Sequence, residues 1–117
     1  MTLFTDRVQA TVEHALDGTS LRQRVTADNI SNAMTPGFRA KRVDFEASLA
    51  SALKAGRPQN AVTTVRDSGL AARVQDGNSV RMEDEMQEQM KTGLTYQALV
   101  EAANHKLGLL RTAVQGR

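Results

Sequence analysis

The chain has 117 residues, a formal charge of +2 and no cysteine or tryptophan; 40% of it is hydrophobic and only 3% aromatic. That length sets one domain as the upper limit, the charge is too small to imply a nucleic-acid partner, and the absence of cysteine excludes disulfide and thiolate chemistry. A core built from Ala, Val, Leu and Met is thin, and a chain this short buries a modest share of its surface, so the sequence suits a small domain or a subunit whose apolar faces are completed by neighbours.

No run of about 18 apolar residues is present, so no membrane span is expected. The opening "MTLFTDRVQATVEHALDG" lacks the basic n-region and continuous apolar stretch of a secretory signal. The first predicted element is a helix over 3–33. Phe4, Val8, Val12 and Ala15 recur at helical steps, Gly18 interrupts the stripe as a kink or a break, and Leu21, Val25, Asn29 and Asn32 resume it. Thr35-Pro36-Gly37-Phe38 then stops the helix. Proline biases the preceding residue away from the α region, and Pro-Gly fits the centre of a type II turn.

The basic run Arg39, Lys41, Arg42 reads as a solvated strand, since no aromatic platform accompanies it. A short helix follows, with Asp44 as its expected cap, Phe45, Leu49, Ala52 and Leu53 as its buried face, and Gly56 and Pro58 as its stop. Helical periodicity vanishes over 56–80. "AVTTVR" and "LAARVQ" fit a small hairpin or a mobile loop, and Asp76-Gly77-Asn78 marks a turn.

The last element is a long helix over 80–114. Met82, Met86, Met90 and Leu94 form an i, i+4 ladder. Val100, Ala103, Leu107, Leu110 and Val114 follow at heptad spacing, the mark of a coiled-coil seam. Acidic residues crowd its start and Lys106, Arg111 and Arg117 lie toward its end, as the helix dipole favours. About 35 residues at 1.5 Å each reach about 50 Å, which implies a rod-like shape. The chain is thus mainly α. Its segments are 1–35, 36–80 and 81–117, and the two terminal helices are natural partners for each other or for an intermolecular bundle.

Little in the sequence speaks for chemistry. His14 and His105 have no metal-ligand spacing, and no phosphate-binding loop or nucleophile elbow is present. The carboxylates of 83–88 read as a solvated helix start, and Asn29-Ile30-Ser31 matches a glycosylation sequon of low specificity. The methionine ladder reads as packing surface, with a partner interface as the second reading. Asn29 and Asn32 are costly on one helical face unless bonded. They are either solvated amides at a fraying end or buried amides that fix register in a bundle.

The stretch "ADNISNAMTPGFRAKRVDFEASL" resembles the signature of the flagellar axial family, which comprises rod, hook and hook-associated components. The family's usual form is Asn-Ile-Ala-Asn-Ala-x-Thr-Pro-Gly-Phe/Tyr. Asn29, Ile30, Asn32, Ala33, Thr35, Pro36, Gly37 and Phe38 match it, with Ser31 in place of the usual alanine and Met34 at the variable position. "DGNSVRMEDEM" and the tail "YQALVEAANHKLGLLRTAVQGR" are similar to the short proximal rod members, from which Ser79 and Arg81 depart.

The resemblance implies a structural subunit rather than an enzyme, with no cofactor. It implies terminal helices that pair as an inner coiled coil and subunits that stack helically around a central channel. The implied partners are further copies, other rod subunits, and the junction protein and export gate at the rod base, with no nucleic acid. The implied location is the periplasmic rod of the basal body, reached by type III export without a cleaved signal peptide. Phe4 and Val8 fit the Phe-xxx-aliphatic form of an export signal. Another short rod protein and a cytoplasmic helical export adaptor or chaperone are the competing readings.

Overall fold

A computed structural model describes the backbone of residues 2–116 and the side chains of residues 6–116. Helix α1 (Thr2–Ser31) is followed by strand β1 (Lys41–Asp44), helix α2 (Glu46–Lys54), a 3-10 turn (Pro58–Asn60), strand β2 (Thr64–Asp67) and helix α3 (Met82–Gln115). The molecule is an elongated helical pair of α1 and α3, with the middle of the chain packed along α1 from its C-terminal end as far as Gly56 beside Arg7. Its extents are 65 × 28 × 14 Å and its radius of gyration is 18.0 Å, against about 13 Å for a compact 100-residue domain.

Helix α1 runs unbroken through Gly18. Glycine costs about 1 kcal/mol in a helix interior, and here it makes room for a neighbour. A Cβ at Gly18 would lie 2.5 Å from Phe45 Cδ1, so the buried Phe45 ring rests directly on the helix backbone. Arg22, one turn further along α1, stacks over the same ring at 4.8 Å and ion-pairs with Glu46 at 2.7 Å. These contacts dock α2 on α1.

The β structure differs from the expected hairpin. Strand β2, from the "AVTTVR" segment, pairs antiparallel with β1 in the basic run, in the register Lys41↔Asp67 and Val43↔Val65. It does not pair with "LAARVQ". The partner lies across α2, and strand pairing at that separation leaves no local trace in sequence. Asp44 pairs with Arg66 instead of capping α2, whose N-cap Phe45 makes no side-chain cap. Leu53, expected on the buried face of α2, is exposed. The helix ends in a Schellman arrangement: Gly56 (φ +76°) donates to the Leu53 carbonyl and Arg57 to that of Ala52, which satisfies the orphan carbonyls.

The core is small. Ala33, Ala40 and Val80 form its buried centre, with Phe38 packed against it. Along the helical pair the buried side chains among the described residues are Thr19, Thr26, Asn29, Glu85 and Thr92. Small and polar side chains let the two backbones approach, but they bury little apolar area, and area sets the hydrophobic gain.

Candidate functional site: the junction of the motif with the middle loop and α3

The axial-family motif occupies the C-terminal end of α1 and the turn after it, where three chain segments converge. Asn29 is 1% exposed and bonds to two of them. Its Nδ2 donates to the Lys41 carbonyl at 2.9 Å and to Glu85 Oε2 at 3.0 Å, while its Oδ1 accepts the Lys41 N–H at 3.0 Å. One carboxamide thus ties α1 to β1 and α3. Glu85 is fully buried, and its other oxygen lies 2.7 Å from Arg42 Nη1. A buried carboxylate persists only when paired and bonded, and here Arg42 and Asn29 meet that requirement.

Asn32 behaves differently. It is half-buried, and its side chain stays local, donating to the Asp28 carbonyl at 2.9 Å and accepting the Thr35 hydroxyl at 3.1 Å. The two asparagines that sequence places on one stripe therefore have separate tasks. Asn29 joins elements, and Asn32 closes the helix end.

The turn Thr35-Pro36-Gly37-Phe38 is closed by the Phe38 N–H on the Thr35 carbonyl at 3.2 Å, with Gly37 at φ +76°, as a type II turn requires. Segment 73–80 grips it. Asn78, with 0% exposure, donates from Nδ2 to the carbonyls of Asn32 and Thr35, both at 2.8 Å. Arg73 Nη2 reaches the Ala33 carbonyl at 2.8 Å. The Gly37 N–H donates to the Asp76 carbonyl at 2.7 Å, the Ser79 N–H to the Phe38 carbonyl at 3.0 Å, and the Ala40 N–H to Ser79 Oγ at 2.7 Å.

Carbonyls of the turn that follows α1 thereby accept side-chain donors from a distant loop. The Arg73 guanidinium beside Asp76, with the Asn78 N–H, holds the Asp76 carboxyl below its ordinary range. Arg39 and the Gly69 N–H hold Asp67 down to about 2. Both charges stay fixed where the loop is anchored.

Of the other motif residues, Ala33 and Phe38 enter the core, Ile30 is half-buried, and Thr35, Pro36 and Gly37 are exposed. Sequence reasoning singled out Asp76-Gly77-Asn78 as a turn but did not assign Asn78, Arg73, Ser79, Arg42 or Glu85 to this junction. Asn at a turn ordinarily bonds its own backbone, and Glu85 sits in an acidic run that reads as solvated, so neither carried a distinguishing signal.

The proposed seam divides. Val100 and Ala103 are half-buried, and Ala103, Leu107 and Leu110 line a small apolar cavity with Val12 and Leu16 of α1. Met86 and Met90 are 57% and 71% exposed, and Val114 is 87% exposed, so these three do not face α1 within the chain. The reason for the methionines is geometric. Steps of four residues advance about 40° around a helix, whereas alternating steps of three and four hold one face. The row that holds the face runs through Glu85, Gln89, Thr92, Tyr96 and Ala103. Val8 is half-buried on α1, and the Phe4 side chain lies outside the described residues. Among the described residues no helix is long and apolar enough to cross a membrane.

No protein-family model matches the chain. It is 33% identical over 128 aligned positions to the flagellar basal body rod protein FlgB of Bacillus subtilis (strain 168), covering 99% of this chain and 98% of that one. It is 32% identical to the FlgB of Cereibacter sphaeroides, covering 99% of each chain. With the FlgB of Aeromonas hydrophila it shares 28% identity over 99% of its length.

Proposed function

The chain belongs to the FlgB family of flagellar basal body rod proteins, and from that membership we propose that it is a subunit of the proximal rod that assembles helically around the export channel and transmits torque. The observation that carries this reading is likeness along the whole chain, 99% of its length, rather than in the motif alone. The elongated shape supports it. A subunit with a small core and apolar side chains left outside gains its missing burial from neighbours, and contacts that do not close under rotation generate helical assemblies.

In this reading the terminal segments 1–35 and 81–117 form the inner domain. Segment 36–80 is set on one end by the Asn29–Glu85–Arg42 junction and the Asn78 clamp, and it reaches toward adjacent rod subunits or the junction protein and export gate at the rod base. The subunit serves a structural role without a cofactor, and it is exported uncleaved to the periplasm with Phe4 and Val8 in the export signal.

The test is complementation in a strain deleted for this gene, scoring motility and purified basal bodies. Rods absent in the deletion and restored with this chain incorporated are the expected result. Rods intact without the chain would overturn the reading and favour a cytoplasmic export adaptor.

A further inference from the structure

Helix α3 carries a ridge and a groove on opposite sides of the same stretch. The ridge is Met82, Met86, Met90 and Leu94, which are 42%, 57%, 71% and 68% exposed. A contiguous apolar row of this kind marks an interaction surface. The groove, of about 540 Å³, lies between α2 and α3 with α1 as its floor, and its apolar lining includes Ala15, Val43, Phe45, Leu49, Leu53 and Leu99. At 100° per residue, the lining positions 88, 91, 92, 95 and 99 point roughly 180° away from the middle of the ridge.

The two features match in length and charge. The ridge spans roughly 18 Å and the α3 wall of the groove, 88–99, roughly 16 Å at 1.5 Å per residue. The carboxylates in the groove are already engaged: Glu46 and Glu88 by Arg22, and Asp44 by Arg66. Lys91 stands in the lining and makes no ion pair among the described residues. Glu83 flanks the ridge and likewise makes none.

We infer that the 82–94 ridge of one copy seats in the groove of a second copy of this chain, with Glu83 against Lys91; the inference rests on the assembly reading above and assigns its interface. With Glu83 beside Lys91 and the rest of the ridge running along the groove wall toward Leu99, the two α3 helices are parallel and offset by eight residues, roughly 12 Å. Ridge and groove are different surfaces, so the contact is heterologous. Each copy that receives a ridge presents its own to the next, and the row stays open where the rotation between copies does not close. This is helix-in-groove recognition with anchors at i, i+4 and i+8, and methionine adapts to the irregular floor.

The chain has no native cysteine, so engineered pairs report cleanly. Met90→Cys and Leu53→Cys, both at exposed positions, are expressed as separate copies in the deletion strain. Rods are then purified and oxidised. The expected result is a disulfide-linked dimer of this chain when both variants are present and none from either alone. Glu83→Lys or Lys91→Glu alone lowers the cross-linked fraction about threefold, on the scale of one exposed ion pair, and the double reversal restores it.

Rods that contain the chain yet yield no such dimer would overturn the interface and leave the rod assignment standing. Cross-linking to a different subunit would overturn the choice of a second copy. Rods that form without the chain would remove the assembly reading and this inference together.

Discussion

Asn29 bonds through its carboxamide to β1 and α3 at once, and Asn32 bonds through its own only to the local chain. The distinction predicts unequal costs. Asn29→Ala strands the Lys41 amide and removes a donor from the buried Glu85, and each such loss costs about 1–3 kcal/mol. The expected destabilisation is about 2–3 kcal/mol, against less than about 1 kcal/mol for Asn32→Ala, whose groups rehydrate at the surface. Urea unfolding of the free chain measures both. Equal midpoints for the two variants would show that the junction is not where the middle segment is held.

Between elements, glycines decide how closely backbones approach. Gly18→Ala improves helix propensity by about 1 kcal/mol, but the new Cβ would meet Phe45 Cδ1 at 2.5 Å. Overpacking of this kind costs about 1–3 kcal/mol, so the variant is expected to lose stability and displace α2. Gly93→Ala on α3 meets nothing nearer than Gln23 Nε2 at 3.8 Å and is expected to gain about 1 kcal/mol. Thermal unfolding of the two variants should shift in opposite directions; a gain for Gly18→Ala would mean that the ring moves aside freely.

Over the whole molecule, stability is graded along the rod. The end that carries the junction holds the Ala33, Ala40 and Val80 cluster and the buried Asn29, Asn78 and Glu85. At the far end, Leu107, Leu109 and Val114 are exposed, and among the described residues the apolar lining there is limited to the small cavity that Leu107 and Leu110 share with Val12 and Leu16. Amide exchange of the free chain should therefore be slow over 85–92 and fast over 107–115, because local opening is easiest where few buried contacts are lost. Uniform protection along α3 would contradict this gradient. In an assembled rod the same distal segment would gain protection from neighbouring subunits.

The sequence by itself determined the helices, the stop between them and the family. Helical periodicity, Pro36-Gly37 and the run from Asn29 to Phe38 are local patterns, and local patterns survive in a linear reading. Only the tertiary structure decided which apolar row of α3 meets α1, which segment pairs with β2, and which asparagine is buried. Each of those outcomes depends on contacts between distant residues: Asn29 and Glu85 are 56 apart, and Asn78 and Asn32 are 46 apart. Such pairs are selected by which arrangement gives most buried polar groups a partner at once, and that is a property of the folded chain as a whole.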